Sequence, residues 1–407
     1  MRAAILSWFF VTACADILDL RAGRAEPDTC ASTQDCAPDS VCRDGRCAQK
    51  CGSSASCPRN DSCSDGVCIP RTPCVSGEGR CSGLMPQVCQ KGDWVAPGDR
   101  CDTGCKAGAC VDAPSCDWNP LCGGPDAASG SSCCEAFDVP GGTVTVPYDG
   151  PNTDGQGVRR SVSPFVLERF EVTVSRFRQF VAAYDQLNLA DGDGAHPDVP
   201  GSGWNESWKQ DPVAVAPNAV SLRNYLAGCG VSLDVEGETL PIRCVNWYEA
   251  FAFCVWDGGR LPTETEWAFA AMGGDEARPY PWSTSVADDS INSARAVYTA
   301  PPELLTSPEP VGLRPRGAGI FGQEDLAGNV AEWVADMFFY DLQNDTCASA
   351  GMAAPRDCIE LRPSVSRVQR GGSYKNVSDD LKNSRRLDSP PRTRYSDYGF
   401  RCARDPQ

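Results

Sequence analysis

Cysteine limits most tightly what the first third of this chain can become. Eighteen of the 25 cysteines lie between Cys30 and Cys134, separated by Gly, Pro, Ser and Asp, with no apolar run that could build a conventional core. In such a segment disulfides have to substitute for burial. The first eight form an internal repeat: "CASTQDCAPDSVCRDGRC" from Cys30 and "CGSSASCPRNDSCSDGVC" from Cys51 share the spacing C-x5-C-x5-C-x4-C at a period of 21 residues. Each four-cysteine unit allows three connectivities, and the spacing does not choose among them. Zinc is a poor competitor, because neither repeat has a CxxC pair or a histidine and exported thiols oxidise. We read 30–72 as two four-cysteine repeats and 73–134 as further cysteine-rich stalk, a rigid spacer of a kind that also binds proteins.

The start of the chain fits export. Met1-Arg2 is followed by the short apolar stretch "AAILSWFFVTA", and "VTAC" ends on Cys14 in the manner of a bacterial lipobox. On this reading 1–13 is a signal peptide, Cys14 is lipidated, 14–29 is a linker, and the protein is held at a bacterial envelope or cell surface by its lipid alone; an ordinary signal peptide cleaved elsewhere is the alternative. Setting Cys14 aside leaves an even number of cysteines, as full pairing in an oxidising compartment requires. The net charge of −17 repels phosphate backbones and anionic headgroups, which argues against nucleic acid and direct headgroup adhesion.

From Phe137 the composition changes. "PFVLERFEVTVSRFRQFVAAYD" alternates like a strand and then takes helical spacing through Val174, Phe177, Phe180 and Val181, with Thr173 or Ser175 as cap. An aromatic-rich helix is expected from about Trp247 to Asp257, stopped by two glycines, and a second helix opens with the capping box Thr263/Glu266. "VPGGT", "ERFEVTVSRFRQFV", "VNWYEAFAFCVWDGGRLPTETEWAFAA", "LAGNVAEWVADM", "RVQRGGSY" and "YGFRCAR" follow in order from Val139 to Arg404. In sequence and spacing they resemble the formylglycine-generating enzyme (sulfatase-modifying factor) family. The resemblance implies an α+β domain of low regular secondary structure, related to C-type lectins, over 137–407 and behind the small disulfide-rich repeats.

Residues carry over position by position. The family's calcium loop falls on "FGQEDLAGNVAEW", which implies side-chain oxygens from Asp325 and Glu332 and main-chain carbonyls of Gly328 and Val330, all hard donors of the kind calcium takes. A second family site would involve Asn292, but "PPELLTSPEP" replaces the acid-bearing loop that completes it. The family oxidase has two redox cysteines after "GGSY", spaced C-x4-C, which bind copper and use oxygen to convert a substrate cysteine. Their positions here hold Asn376 and Leu381, neither of which offers a soft thiolate. Ser373 of the substrate groove remains, whereas a groove tryptophan is replaced by Ala331. The iron-dependent sulfoxide synthases of the same fold need several histidines, and this chain has one, His196, read as an exposed loop residue.

The resemblance also implies a pair of Cys254 with Cys402, and leaves Cys229 with Cys244 and Cys347 with Cys358 as local pairs. No thiol then remains for catalysis. Glu264 and Glu266 are read as capping acids, and the arginines from Arg385 to Arg394 as pinned by carboxylates. The expected function is a calcium-stabilised binding or structural module for a protein, peptide or glycan, without copper; the alternative is formylglycine-generating or other enzyme activity in the same groove.

Overall fold

The two tandem repeats each contain one antiparallel hairpin: Ser40–Arg43 with Arg46–Gln49, and Ser62–Ser64 with Val67–Ile69. In register, Cys42 lies opposite Cys47 and Cys63 opposite Cys68. The computed structural model describes residues 131–146, 157–300, 304–339 and 356–406, Cys347, and short segments between 40 and 122. The expected signal peptide, the expected lipidation site at Cys14 and the expected linker lie outside the described residues. The chain divides into two compact units, Met1–Val75 with Lys91–Asp93, and Ser76–Gln90 with Trp94–Gln407. Among the described residues no helix is long and apolar enough to cross a membrane.

In the second unit, strands β1 (Ala136–Val139) and β2 (Gly142–Val146) are followed by β3 (Val158–Val162) and β4 (Phe165–Glu168). Helix α1 (Val174–Ala183) starts where the side chain of Thr173 accepts the Arg176 N–H. It buries Val174, Phe177, Phe180 and Val181 along one face, the spacing that places residues on one side of a helix. Helix α2 (Ala219–Gly228) was not anticipated; it is capped by Asn218 and buries only Leu222 and Leu226. Helix α3 (Trp247–Trp256) is buried at every position from Trp247 to Cys254 except Tyr248, and helix α4 (Glu264–Met272) is buried throughout. Both begin with a capping box, Asn246/Glu249 and Thr263/Glu266, and α4 ends at Gly273 in the left-handed conformation, φ 70°.

Strands β5 (Ala331–Met337), β6 (Arg367–Arg370), β7 (Leu387–Ser389), β8 (Tyr398–Gly399) and β9 (Ala403–Arg404) complete the domain. One sheet runs β1-β4-β9, a second runs β7-β6-β5-β8, and β2 with β3 forms a separate hairpin. The main core packs α1 on α3: Phe177 stacks on Phe253 with centroids 5.7 Å apart, and Phe400 closes edge-on at 5.3 Å. Cys254 and Cys402, with Cα atoms 5.5 Å apart, are bonded there; Cys229–Cys244 and Cys347–Cys358 are bonded at 5.8 and 5.5 Å.

Residues assigned to the stalk contribute to this unit. Leu84 and Cys101 are buried with Ala136 and Val166, and Cys122 and Cys133 with Phe170 and Val311. Arg176, fully buried, explains the attachment: its guanidinium binds Ser115 Oγ at 2.9 Å, Glu168 at 2.7 Å and Asp257 at 2.6 Å. Asp257 also accepts the Ser115 N–H, so one ionic cluster ties the cysteine-rich segment to α1 and α3.

Candidate functional site

The "GGSY" turn is shaped by glycine where the chain passes close to its neighbours. Gly371 and Gly372 both have positive φ, and a Cβ on either would fall 2.9 Å from a main-chain oxygen, of Leu326 and Asp380 respectively. Ser373 follows, fully buried. Its N–H donates to Asn376 Oδ1 at 2.8 Å, and its hydroxyl lies 2.8 Å from both Asn376 Oδ1 and Asp397 Oδ2. Lys375 bridges the outer side of Asp397 at 3.1 Å and Ser396 at 2.6 Å. Asn376 is therefore a turn cap, and its carbonyl accepts the Thr299 N–H. Leu381 faces the opposite way, into a buried cluster with Tyr280, Trp282, Ala296 and Ala327. Tyr280 and Trp282 stack at 5.1 Å, and Leu381 carbons would meet a Cβ on Gly372 at 3.0 Å or on Gly328 at 3.2 Å. Leucine is core here rather than site.

Behind that turn runs the loop that precedes β5. Asp325, Gly328 and Asn329 all have positive φ, and a Cβ on Gly328 would sit 2.3 Å from the Val297 oxygen, so the loop's path is dictated. Four carboxylates gather around it. Glu332 is matched by Arg401, whose Nη2 lies 2.7 Å from Oε1, and also accepts Trp267 Nε1 at 2.9 Å. Arg169 answers Glu324. Among the described residues Glu171 and Asp325 have no ion pair of their own, though the charge of Arg401 reaches both. Glu171 accepts Asn329 Nδ2 at 2.6 Å and the Val330 N–H at 3.0 Å, and burial, then the charges of Asp325 and Glu332, push its carboxyl well above the usual range. Burial, with Glu324 and Glu332 adding, pushes Asp325 up to about 7 although it accepts the Gly312 N–H. Crowded, uncompensated carboxylates favour a bound cation.

The sulfatase-modifying factor enzyme 1-like domain pattern matches residues 125–406. The chain belongs to this family. A formylglycine-generating enzyme of Thermomonospora curvata is 29% identical over 300 residues, covering 66% of this chain and 92% of the relative. A mouse protein called inactive C-alpha-formylglycine-generating enzyme 2 is 30% identical over 293 residues, covering 65% and 84%. Among solved structures, that of PvdO from Pseudomonas aeruginosa is 22% identical with a TM-score of 0.45, covering 67% of this chain and 94% of that one. Within this sulfatase-modifying-factor domain, copper does not fit the family's redox positions. A carboxamide committed to the turn and a leucine in the core supply no thiolate. At the expected calcium loop the buried side chains are hard oxygen donors, Glu171 and Asp325 among them, a chemistry compatible with calcium. Among the described residues no three His, Cys, Asp or Glu side chains are grouped to hold a metal, so a cation here would need further oxygens from the main chain, the part expected of the Gly328 and Val330 carbonyls.

Glu171 was missed from sequence, and the other corrections have the same origin in long-range contacts. His196 is buried rather than exposed: its Nδ1 accepts the Asp198 N–H, and its Nε2 lies 3.8 Å from Glu266. Glu266 caps α4 as expected and also binds Arg260. Glu264 does no capping; it is the buried acceptor for Arg386, with Arg160 and Arg370 within 3.8 and 3.9 Å. The remaining arginines of the cluster are pinned by carboxylates: Arg385 by Asp380, Arg392 by Asp211 and Arg394 by Glu249. At the outer side of the turn, Tyr395 is 48% exposed and packs edge-on against Tyr398. Arg394 covers Tyr225 at 4.6 Å. Asn292 accepts the N–H of Ala294.

Proposed function

We propose that this sulfatase-modifying-factor domain is a non-catalytic binding module, stabilised by calcium and carried by an exported, lipid-anchored protein. The observation that supports it most is Leu381, whose side chain is sealed in the Tyr280/Trp282 cluster at a position where the family oxidase needs a copper thiolate. Ser373 does not replace that chemistry, because its hydroxyl is buried beside Asp397 and the chain's single histidine is paired elsewhere. The mouse relative named as inactive makes a family member without the oxidase activity a reasonable comparison. The ligand surface on this reading is the rim of the turn, where Lys375, Tyr395, Arg392 and Tyr225 offer the aromatic and arginine side chains enriched at protein and peptide interfaces.

Protein from Cys30 onward, given Cu(I), oxygen and a sulfatase-type cysteine peptide, should leave the peptide's mass unchanged and bind no copper; conversion of the cysteine would overturn the reading. Chelation tests the metal separately. Saturating calcium near 100 times its Kd would stabilise the fold by about 2.7 kcal/mol, so removing it should lower the melting temperature by about 5 °C or more. An unchanged melting curve in chelator would remove calcium from the account. Cys14→Ser should move the protein from the membrane to the soluble fraction, and continued membrane retention would count against the lipid anchor.

A further inference from the structure

A cavity of about 400 Å³ opens on the domain, lined by residues other than those of the "GGSY" turn. Its walls come from the end of α1 and the turn after it, from residues 204–209 and 215–217, and from Ala252 of α3; none is Ser373, Asn376 or Leu381. The volume lies within the roughly 300–1,000 Å³ of small-molecule sites. Leu187, Leu189, Val215, Ala216 and Ala252 make most of the wall apolar, and Trp204 adds an indole face braced edge-on by Trp208 at 5.1 Å.

Two opposite charges also line it, Asp185 and Lys209. Lys209 is not a loose surface lysine: its Nζ donates to the Leu189 carbonyl at 2.6 Å and lies 3.5 Å from Glu206. Asp185 is fixed too, with Oδ1 accepting the Ala219 N–H at 2.7 Å. The Tyr184 hydroxyl is committed to the Ala216 carbonyl at 2.9 Å, so it is a wall rather than a free donor. The indole N–H of Trp204 is buried and meets no acceptor. An occupant bringing an oxygen to that N–H would supply the acceptor it lacks.

We propose that this cavity binds a free apolar amino acid, its side chain in the apolar part, its ammonium toward Asp185 and its carboxylate toward Lys209. The charge pattern selects the class. A monocarboxylate would face Asp185, a simple amine would face Lys209, and the interior of a peptide carries neither charge. A sugar needs more polar partners than this wall provides. The site stands apart from the binding role proposed for the turn and does not depend on it.

Titration calorimetry on the whole protein with L-leucine and L-phenylalanine tests the assignment, with N-acetyl-phenylalanine and phenylalanine amide as charge-blocked probes. Free amino acids should bind, and each blocked probe should bind at least about tenfold more weakly. Asp185→Asn keeps the helix contact and removes the charge, and Lys209→Met keeps the stem. Each should weaken binding by about tenfold with an unchanged circular dichroism spectrum. Trp204→Phe, which removes the unpaired donor, should weaken binding severalfold. No heat at about 10 mM ligand would overturn the proposal, as would an affinity that both charge variants retain. Equal binding of N-acetyl-phenylalanine would overturn it in favour of a peptide C-terminus.

Discussion

Glu264→Gln should destabilise the domain by about 3–5 kcal/mol, the loss expected when one member of a buried ionic cluster is removed and its counterions stay behind. Glu264 is 0% exposed and receives both Nε and Nη2 of Arg386, at 2.5 and 2.8 Å, with Arg160 and Arg370 at slightly longer range. Arg386 would lose its bidentate carboxylate partner, and Arg160 and Arg370 an anion at 3.8 and 3.9 Å. Asp336 could not fully replace it, because its two oxygens already accept the N–H groups of Glu264 and Glu360. Urea midpoints of mutant and wild type decide the matter, and a difference under about 1 kcal/mol would mean that the cluster is balanced by Asp336 after all.

The same pair gives a pH signature. Despite burial, the charges of Arg386, Arg370 and Arg160 hold Glu264 down at about 2, below its usual 4.5. Its contribution is therefore present above pH 4.5 and is lost as pH falls toward 2. Burial, then the charge of Glu264, pushes Asp336 up to about 7 from 3.8. Its contribution is present below pH 3.8 and is lost as pH rises through 7. Glu264→Gln should remove the Glu264 share of the acid limb and, by taking away a neighbouring negative charge, reduce the Asp336 share of the decline between about pH 4 and 7. A variant that shifts the whole curve without changing its shape would show that the two acids do not titrate as the geometry requires.

Local signals and long-range pairings were not equally legible in the sequence. The caps at Thr173 and at Thr263/Glu266, the core helix from Trp247 and the buried face of α1 rest on contacts between residues three or four apart, which a single sequence displays. The substitutions at 376 and 381 were legible because the glycine turn before them sets their spacing. By contrast, α2 buries only Leu222 and Leu226, too little apolar surface to stand out. Glu171 meets Asn329 across 158 positions, and Glu264 meets Arg386 across 122. No periodicity connects such residues. His196 followed the same rule: a polar loop sequence suggested water, whereas the fold folds that loop over Glu266. In a domain with this much irregular chain, buried charge pairs take over the registration that sheet ladders give elsewhere, and they are the part that sequence patterns report least.

Removing the Cys254–Cys402 bond by double alanine substitution should have an effect of similar size for a different reason. The two residues are 148 positions apart, and both are fully buried. In the chain-entropy model a link of that span lowers the free energy of the folded state relative to the unfolded by about 4–5 kcal/mol. It joins α3 to the strand segment that ends the domain, where Ala403 pairs with Leu167 of β4 and bridges Arg260. Without it the C-terminal strand is still held by its main-chain bonds, the Phe400 contacts and the buried ion pairs of Arg401 with Glu332 and of Arg404 with Glu168 and Asp257. Cys229–Cys244 spans only 15 positions, so the same model gives it about 2 kcal/mol less. The comparison carries the test. If the double alanine variants at 254/402 and 229/244 lose equal stability in urea, native packing around the sulfurs sets the effect and chain entropy does not. If the long link costs more by about 2 kcal/mol, the bond acts mainly by restricting the unfolded chain, and the fold depends on an oxidising compartment for its largest single constraint.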